Sequence, residues 1–172
     1  YVQAQHCAFA DLLAAEQRPC AFFRPTGNKA DTVAWVRRLR KPVAIFCWGP
    51  LIGREVIDAC LSAGIVVPHD VAVLGGDFDD IFSEASYPAQ SGIQTAAEQI
   101  GLTAATVLDR IMRGDPPARR EWPVQPLGVV EKLSTDTLAV EDTRLAAVMR
   151  FISDHAAEPV TVQGDVALIG GR

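Results

Sequence analysis

Residues 41–80, KPVAIFCWGPLIGREVIDACLSAGIVVPHDVAVLGGDFDD, decide the fold. Val43 to Cys47 is a short apolar run bounded by Pro42 and by Gly49-Pro50, the pattern of a buried strand. A helix is predicted to follow. Pro50 suits a first helical position, Ile52, Val56, Ala59, Cys60 and Ala63 recur at three- and four-residue steps, and Gly64 supplies a left-handed cap. A second buried strand, Val71 to Leu74, completes a right-handed βαβ unit, and such units take ligands beyond the carboxyl ends of their strands. Those ends are Cys47-Trp48-Gly49-Pro50 and Gly75-Gly76-Asp77, and the recognition site is expected there.

Upstream, Val2, Phe9, Leu12 and Leu13 share one face of a predicted helix, and Cys20 to Phe23 reads as a short strand. The turn cluster Pro25-Thr26-Gly27-Asn28 leads into a helix over 31–39 with Asp31 as its N-cap. The basic cluster Arg37-Arg38-Leu39-Arg40-Lys41 reads as a solvated helix end whose cations complement the C-terminal dipole. Downstream, residues 78–88 are polar and irregular, with Ile81-Phe82 packing as one helical turn. Ser91 to Gln94 is a weak strand. Thr95 and Glu98 have capping-box spacing, and Ile100, Ala104, Val107, Leu108 and Ile111 form the apolar face of a long helix that Gly114 ends. Pro123 and Pro126 exclude a central ladder position, which leaves Gly128 to Leu133 as a strand. Asp142 is predicted to cap a helix with Leu145, Val148, Met149 and Ile152 on one face, and residues 159–172 have linker composition.

A chain of 172 residues with 49% hydrophobic content can bury one substantial core. Its net charge of −5 argues against holding a nucleic-acid backbone unaided, because such domains are normally basic. The four cysteines, Cys7, Cys20, Cys47 and Cys60, form no C-x-x-C pair and read as reduced, small hydrophobes of a cytoplasmic protein. No apolar run approaches a membrane span, and the start lacks a signal pattern, so a soluble protein without a membrane partner is expected. The chain opens on Tyr1 rather than Met, and the protein is expected to begin earlier.

Gly75-Gly76-Asp77 is the sharpest local feature. Glycines at a strand end let a ligand or another backbone approach, and the Asp77 carboxylate can accept two hydrogen bonds from vicinal hydroxyls. Trp48, beside Gly49-Pro50, offers an aromatic face to a sugar ring or to the core. A competing enzyme reading takes Asp77 and Asp79 as the Mg²⁺-holding carboxylates of a haloacid-dehalogenase-like phosphatase, although Asp80 and Ile81 stand where that motif wants a small residue and then Thr. His6, His69 and His155 lie far apart without metal-ligand spacing, and no G-x-S-x-G, H-E-x-x-H or P-loop motif is present. No catalytic residue, metal or cofactor is expected.

Taken together, Lys41-Pro42-Val43-Ala44-Ile45-Phe46, Asp58-Ala59-Cys60, Gly64, and Val67-Pro68-His69-Asp70-Val71-Ala72-Val73-Leu74-Gly75 with Asp77 resemble the sensors of lactose/galactose-repressor type. Arg110-Ile111-Met112-Arg113-Gly114, Pro126-Leu127-Gly128-Val129-Val130, Ser134-Thr135-Asp136, Arg150-Phe151-Ile152 and His155-Ala156 narrow the resemblance to bacterial xylose-operon regulators. In that family the sensor is followed by an AraC-type helix-turn-helix domain.

The resemblance implies an α/β, three-layer, type I periplasmic-binding-protein-like fold, with a nearly complete second lobe and a truncated first. It implies a sugar-sensor domain over 1–138, then a linker and the first helix of a truncated DNA-binding domain over 139–172. The implied function is sensing of a sugar, a pentose, with lobe closure controlling transcription. Asp77, Trp48, Gly49 and Gln94 are the implied ligand-binding residues, with chain crossings between lobes near Ile93-Gln94 and Leu133-Ser134. DNA is contacted only through the missing helix-turn-helix, in a homodimer of the full-length protein. Two departures stand out: Gly49-Pro50 replaces the family's polar residue followed by Asp, and residues 163–172 do not match the next two helices. Besides the phosphatase, the competing reading is a degenerate remnant that binds nothing.

Overall fold

The computed structural model describes residues 2–137 together with 148, 151 and 152. In chain order it contains α1 (Val2–Ala15), α2 (Lys29–Arg38), β1 (Val43–Cys47), α3 (Pro50–Ala63), β2 (Val71–Gly75), α4 (Asp80–Glu84), β3 (Ser91–Gln94), α5 (Ala97–Met112), β4 (Gly128–Val130) and a 3-10 turn at Leu133–Thr135. The strands form one sheet in the order β1-β2-β3-β4. β1 and β2 run parallel in the register Val43↔Val71 to Cys47↔Gly75, and β3 continues parallel, so these three strands end on the same side. β4 returns antiparallel along β3, pairing Gln94 with Gly128.

The central βαβ unit forms as its spacing predicts. Pro50 opens α3, and Gly64 closes it at φ 70°, its N–H reaching the carbonyls of Cys60 and Leu61. The three- and four-residue steps bury Val56, Ile57, Ala59 and Cys60 against Val71 and Val73 of β2, and Val36 of α2 closes the same core. α2 starts earlier than the Asp31 cap predicts, because the Asn28 side chain accepts the Ala30 N–H at 3.0 Å and sets the first turn at Lys29. Asp31 sits inside that turn and accepts a hydrogen bond from the Thr26 hydroxyl. At the other end Lys41 Nζ donates to the carbonyls of Val36 and Leu39, so this member of the basic cluster caps the helix.

Cys20 to Phe23 is not a strand. Its apolar side chains make ring contacts instead: Phe23 stacks on Trp35 at 4.3 Å and Phe22 lies 4.8 Å from His6. β4 stops at Val130, short of the expected Leu133, because Ser134 turns inward. The Ser134 hydroxyl donates to the Val73 carbonyl at 2.6 Å and accepts the Ser91 N–H at 2.9 Å, which sews the turn to β2 and β3. α5 matches its predicted span, yet none of its residues is buried, and Ile100, Leu108 and Ile111 are about half exposed. The chain divides into two compact units, Tyr1–Asp136 and Thr137–Arg172. Of the helix predicted from Asp142, only Val148, Phe151 and Ile152 are described, all helical; the rest of it and the tail lie outside the described residues.

Candidate functional site

The parallel register brings the ends of β1, β2 and β3 together, and the glycines of β2 and β3 let their backbones close up. A Cβ on Gly76 would lie 2.8 Å from the carbonyl oxygens of both Cys47 and Trp48, and the Gly76 N–H donates to the Cys47 carbonyl. A Cβ on Gly92 would lie 2.7 Å from the Asp77 carbonyl oxygen. The approach that these glycines permit is therefore that of the protein's own backbone: Trp48 is pressed against Gly76, and Asp77-Phe78 is laid over β3.

This folding leaves Asp77 exposed at the strand end. Its Oδ1 accepts the Phe78 N–H at 3.0 Å and the Thr95 hydroxyl at 3.2 Å, while Oδ2 has no hydrogen-bond partner among the described residues. Thr95 was expected to cap α5. Its hydroxyl reaches across to Asp77 instead, and α5 begins at Ala97 with Ala96 as an N-cap that makes no side-chain hydrogen bond.

Trp48 is 47% exposed, its backbone carbonyl against Gly76. Gly49 is buried as the N-cap of α3, with open space where a Cβ would stand. No side chain caps that helix and its first turn holds no acidic residue, so α3 supplies no carboxylate of its own to the amide end of its dipole. Gln94 is exposed, one residue before Thr95. The structure thus gathers a carboxylate acceptor, an indole face, a carboxamide and a helix amide end at one sheet edge. Hydroxyl-rich ligands need such donors and acceptors beside an apolar face.

The second carboxylate of the phosphatase reading is committed elsewhere. Asp79 Oδ1 accepts the Phe82 N–H at 3.0 Å as the N-cap of α4, and Asp80 lies in the first turn of that helix. Among the described residues no group of three or more His, Cys, Asp or Glu side chains is placed to hold a metal ion.

Cys47 and Cys60 are buried, and Cys7 and Cys20 are exposed. Burial, then the nearby Cys60 and Glu55, pushes the Cys47 thiol up to about 12. Burial raises Cys60 to about 11 against the opposing pull of Lys41. Both are neutral packing groups at physiological pH. No helix among the described residues is long and apolar enough to cross a membrane.

Sequence reasoning missed two residues here, Thr95 in its bond to Asp77 and Gln90. Gln90 is 2% exposed, with its carboxamide wedged between Gly53 of α3 and Gly75 of β2. Neither has a local signal, since each acts on elements distant in sequence.

A sequence profile of periplasmic binding protein-like domains matches residues 3–135. The xylose operon regulatory protein of Escherichia coli K12 is 26% identical over 136 residues, covering 79% of this chain and 35% of that protein. The chain thus spans about a third of that relative's length. Among solved structures, a xylose-binding transcription activator superposes with a TM-score of 0.67 at 23% identity, over 84% of this chain and 38% of that one. A periplasmic binding protein/LacI transcriptional regulator from Alkaliphilus metalliredigens, complexed with D-xylulofuranose, superposes at 0.59 with 17% identity, over 77% and 51%. The fold is that of the type I periplasmic binding proteins and the lactose-repressor-like sensors, and the chain belongs to the family of periplasmic binding protein-like domains.

Proposed function

We propose that this chain is the sugar-sensing part of a transcription regulator and that it takes a pentose at the carboxyl ends of β1, β2 and β3. The observation that carries the reading is Asp77, an exposed carboxylate at a strand end, oriented by Phe78 N–H and Thr95 with one oxygen unpartnered among the described residues. Names of the similar proteins support the substrate class: one regulates a xylose operon, one is a xylose-binding activator, and one holds D-xylulofuranose.

In this reading Asp77 accepts hydrogen bonds from vicinal hydroxyls, Trp48 covers an apolar face of the ring, and Gln94 adds a donor and an acceptor. Gly49 leaves room for the ligand at the amide end of α3, and with Pro50 it supplies one carboxylate fewer than the family usually has. Residues 1–138 form the sensor, and 139–172 lead into a helix-turn-helix outside this chain, through which a cytoplasmic homodimer contacts DNA. Sugar draws two lobes together across the crossings near Gln94 and Ser134, a population shift that needs no covalent chemistry. The role is binding, not catalysis.

Calorimetric titration with D-xylose, L-arabinose, D-ribose and lactose tests this. Saturable heat with a pentose, and a higher melting temperature in its presence, is the expected result. No heat with any of the four, or Mg²⁺-dependent release of phosphate from p-nitrophenyl phosphate, would overturn it.

A further inference from the structure

Gln90 carries more than packing. Its backbone is well held: its N–H donates to the Ser83 carbonyl and its carbonyl accepts the Ser83 hydroxyl at 2.7 Å. The residue is only 2% exposed, both carboxamide atoms are buried, and among the described residues neither Oε1 nor Nε2 has a hydrogen-bond partner. Burying an unpaired carboxamide is unfavourable, and an apolar side chain of the same size would avoid that cost.

The fold makes room for it all the same. Gly53 in the first turns of α3 and Gly75 at the end of β2 both lack side chains where the carboxamide lies. At Gly75 the carboxamide nitrogen and the Asp77 carbonyl oxygen crowd one position, 2.7 and 3.0 Å from where a Cβ would stand. The unpaired group therefore underlies the segment that presents Asp77 and abuts the helix whose amide end faces the same sheet edge.

We propose that Gln90 is a positioning residue of the cleft: its carboxamide, unpaired here, gains partners when a hydroxyl-bearing ligand occupies the carboxyl end of β2 and the Gly75–Asp77 segment adjusts around it. The inference rests on the sugar-sensing reading and deepens it. Ligand occupancy relieves an unfavourable group in the free chain, so Gln90 contributes to affinity without being the residue that the sugar first meets. An inert packing residue has no such link between ligand-free stability and binding.

The test compares the full chain with Gln90→Met, an apolar replacement of similar length, and Gln90→Leu, a shorter branched one. Each is measured for its melting temperature without ligand and for D-xylose affinity by titration of backbone amide shifts. The expected result is a ligand-free melting temperature equal to or above wild type, together with at least a fivefold loss of D-xylose affinity. Affinity within twofold of wild type in both variants overturns the proposal, whichever way stability moves. A wild-type chain that binds no pentose overturns the sugar reading and the role of Gln90 with it, whereas wild-type binding that both variants retain overturns Gln90 alone.

Discussion

Among the described residues the Asp77 carboxylate is half committed, with Oδ1 taken by Phe78 N–H and Thr95 and Oδ2 without a hydrogen-bond partner. Asp77→Asn keeps the volume but removes the charge and an acceptor, and is expected to weaken pentose binding by about 1.5–3 kcal/mol, the worth of a hydrogen bond to a charged group. Calorimetry reads the loss, and the melting temperature is expected to stay near wild type because the residue is exposed. Gly76 behaves oppositely. A Cβ there meets two carbonyl oxygens at 2.8 Å, so Gly76→Ala is expected to destabilise the fold by about 1–3 kcal/mol, visible as a lower urea midpoint. The buried thiols set an alkaline limit. Cys47 and Cys60 are raised to about 12 and about 11 in the fold, from an ordinary value of 9.0. Above pH 9 the unfolded thiols lose protons that the folded ones keep, so their contribution to stability is full below that value and is lost as pH rises from 9 through about 11 for Cys60 and about 12 for Cys47. Replacing both by Ala is expected to flatten that slope in urea titrations at successive pH values; an unchanged slope would contradict the thiol assignment.

At the scale of elements, β1 and α3 were legible because their signals are local: Pro50 and Gly64 bracket a helix whose apolar steps all face one core. Residues 20–23 misread as a strand because apolarity does not say whether a ladder or a ring stack absorbs it, and Phe23 found Trp35. Thr95 fits a capping box on spacing, but its partner Asp77 lies 18 residues away and no periodicity records that. Asp77, Trp48, Gly49 and Gln94 were legible as strand-end residues; Gln90 was not, since its significance comes from Gly53 and Gly75 on other elements. Ser134 is another element-scale device. Ser134→Ala removes the acceptor of the Ser91 N–H and the donor to the Val73 carbonyl, both buried, and is expected to cost about 1–3 kcal/mol in urea unfolding. A loss below a few tenths would mean that the 3-10 turn is held by packing alone.

Over the whole molecule, the net charge of −5 opposes the approach of a phosphate backbone. Residues 1–172 are expected to give no sequence-selective DNA shift at physiological salt, and a nanomolar shift would contradict that. The proposed pentose site lies at the parallel ends of β1, β2 and β3, and residue-resolved NMR tests it most directly. On titrating D-xylose into the isotopically labelled chain, saturable shifts are expected at the Trp48 indole, the amides of Gly49, Gly75, Gly76, Asp77 and Thr95, and the Gln90 and Gln94 side chains. Saturable shifts elsewhere with these signals unmoved would contradict it.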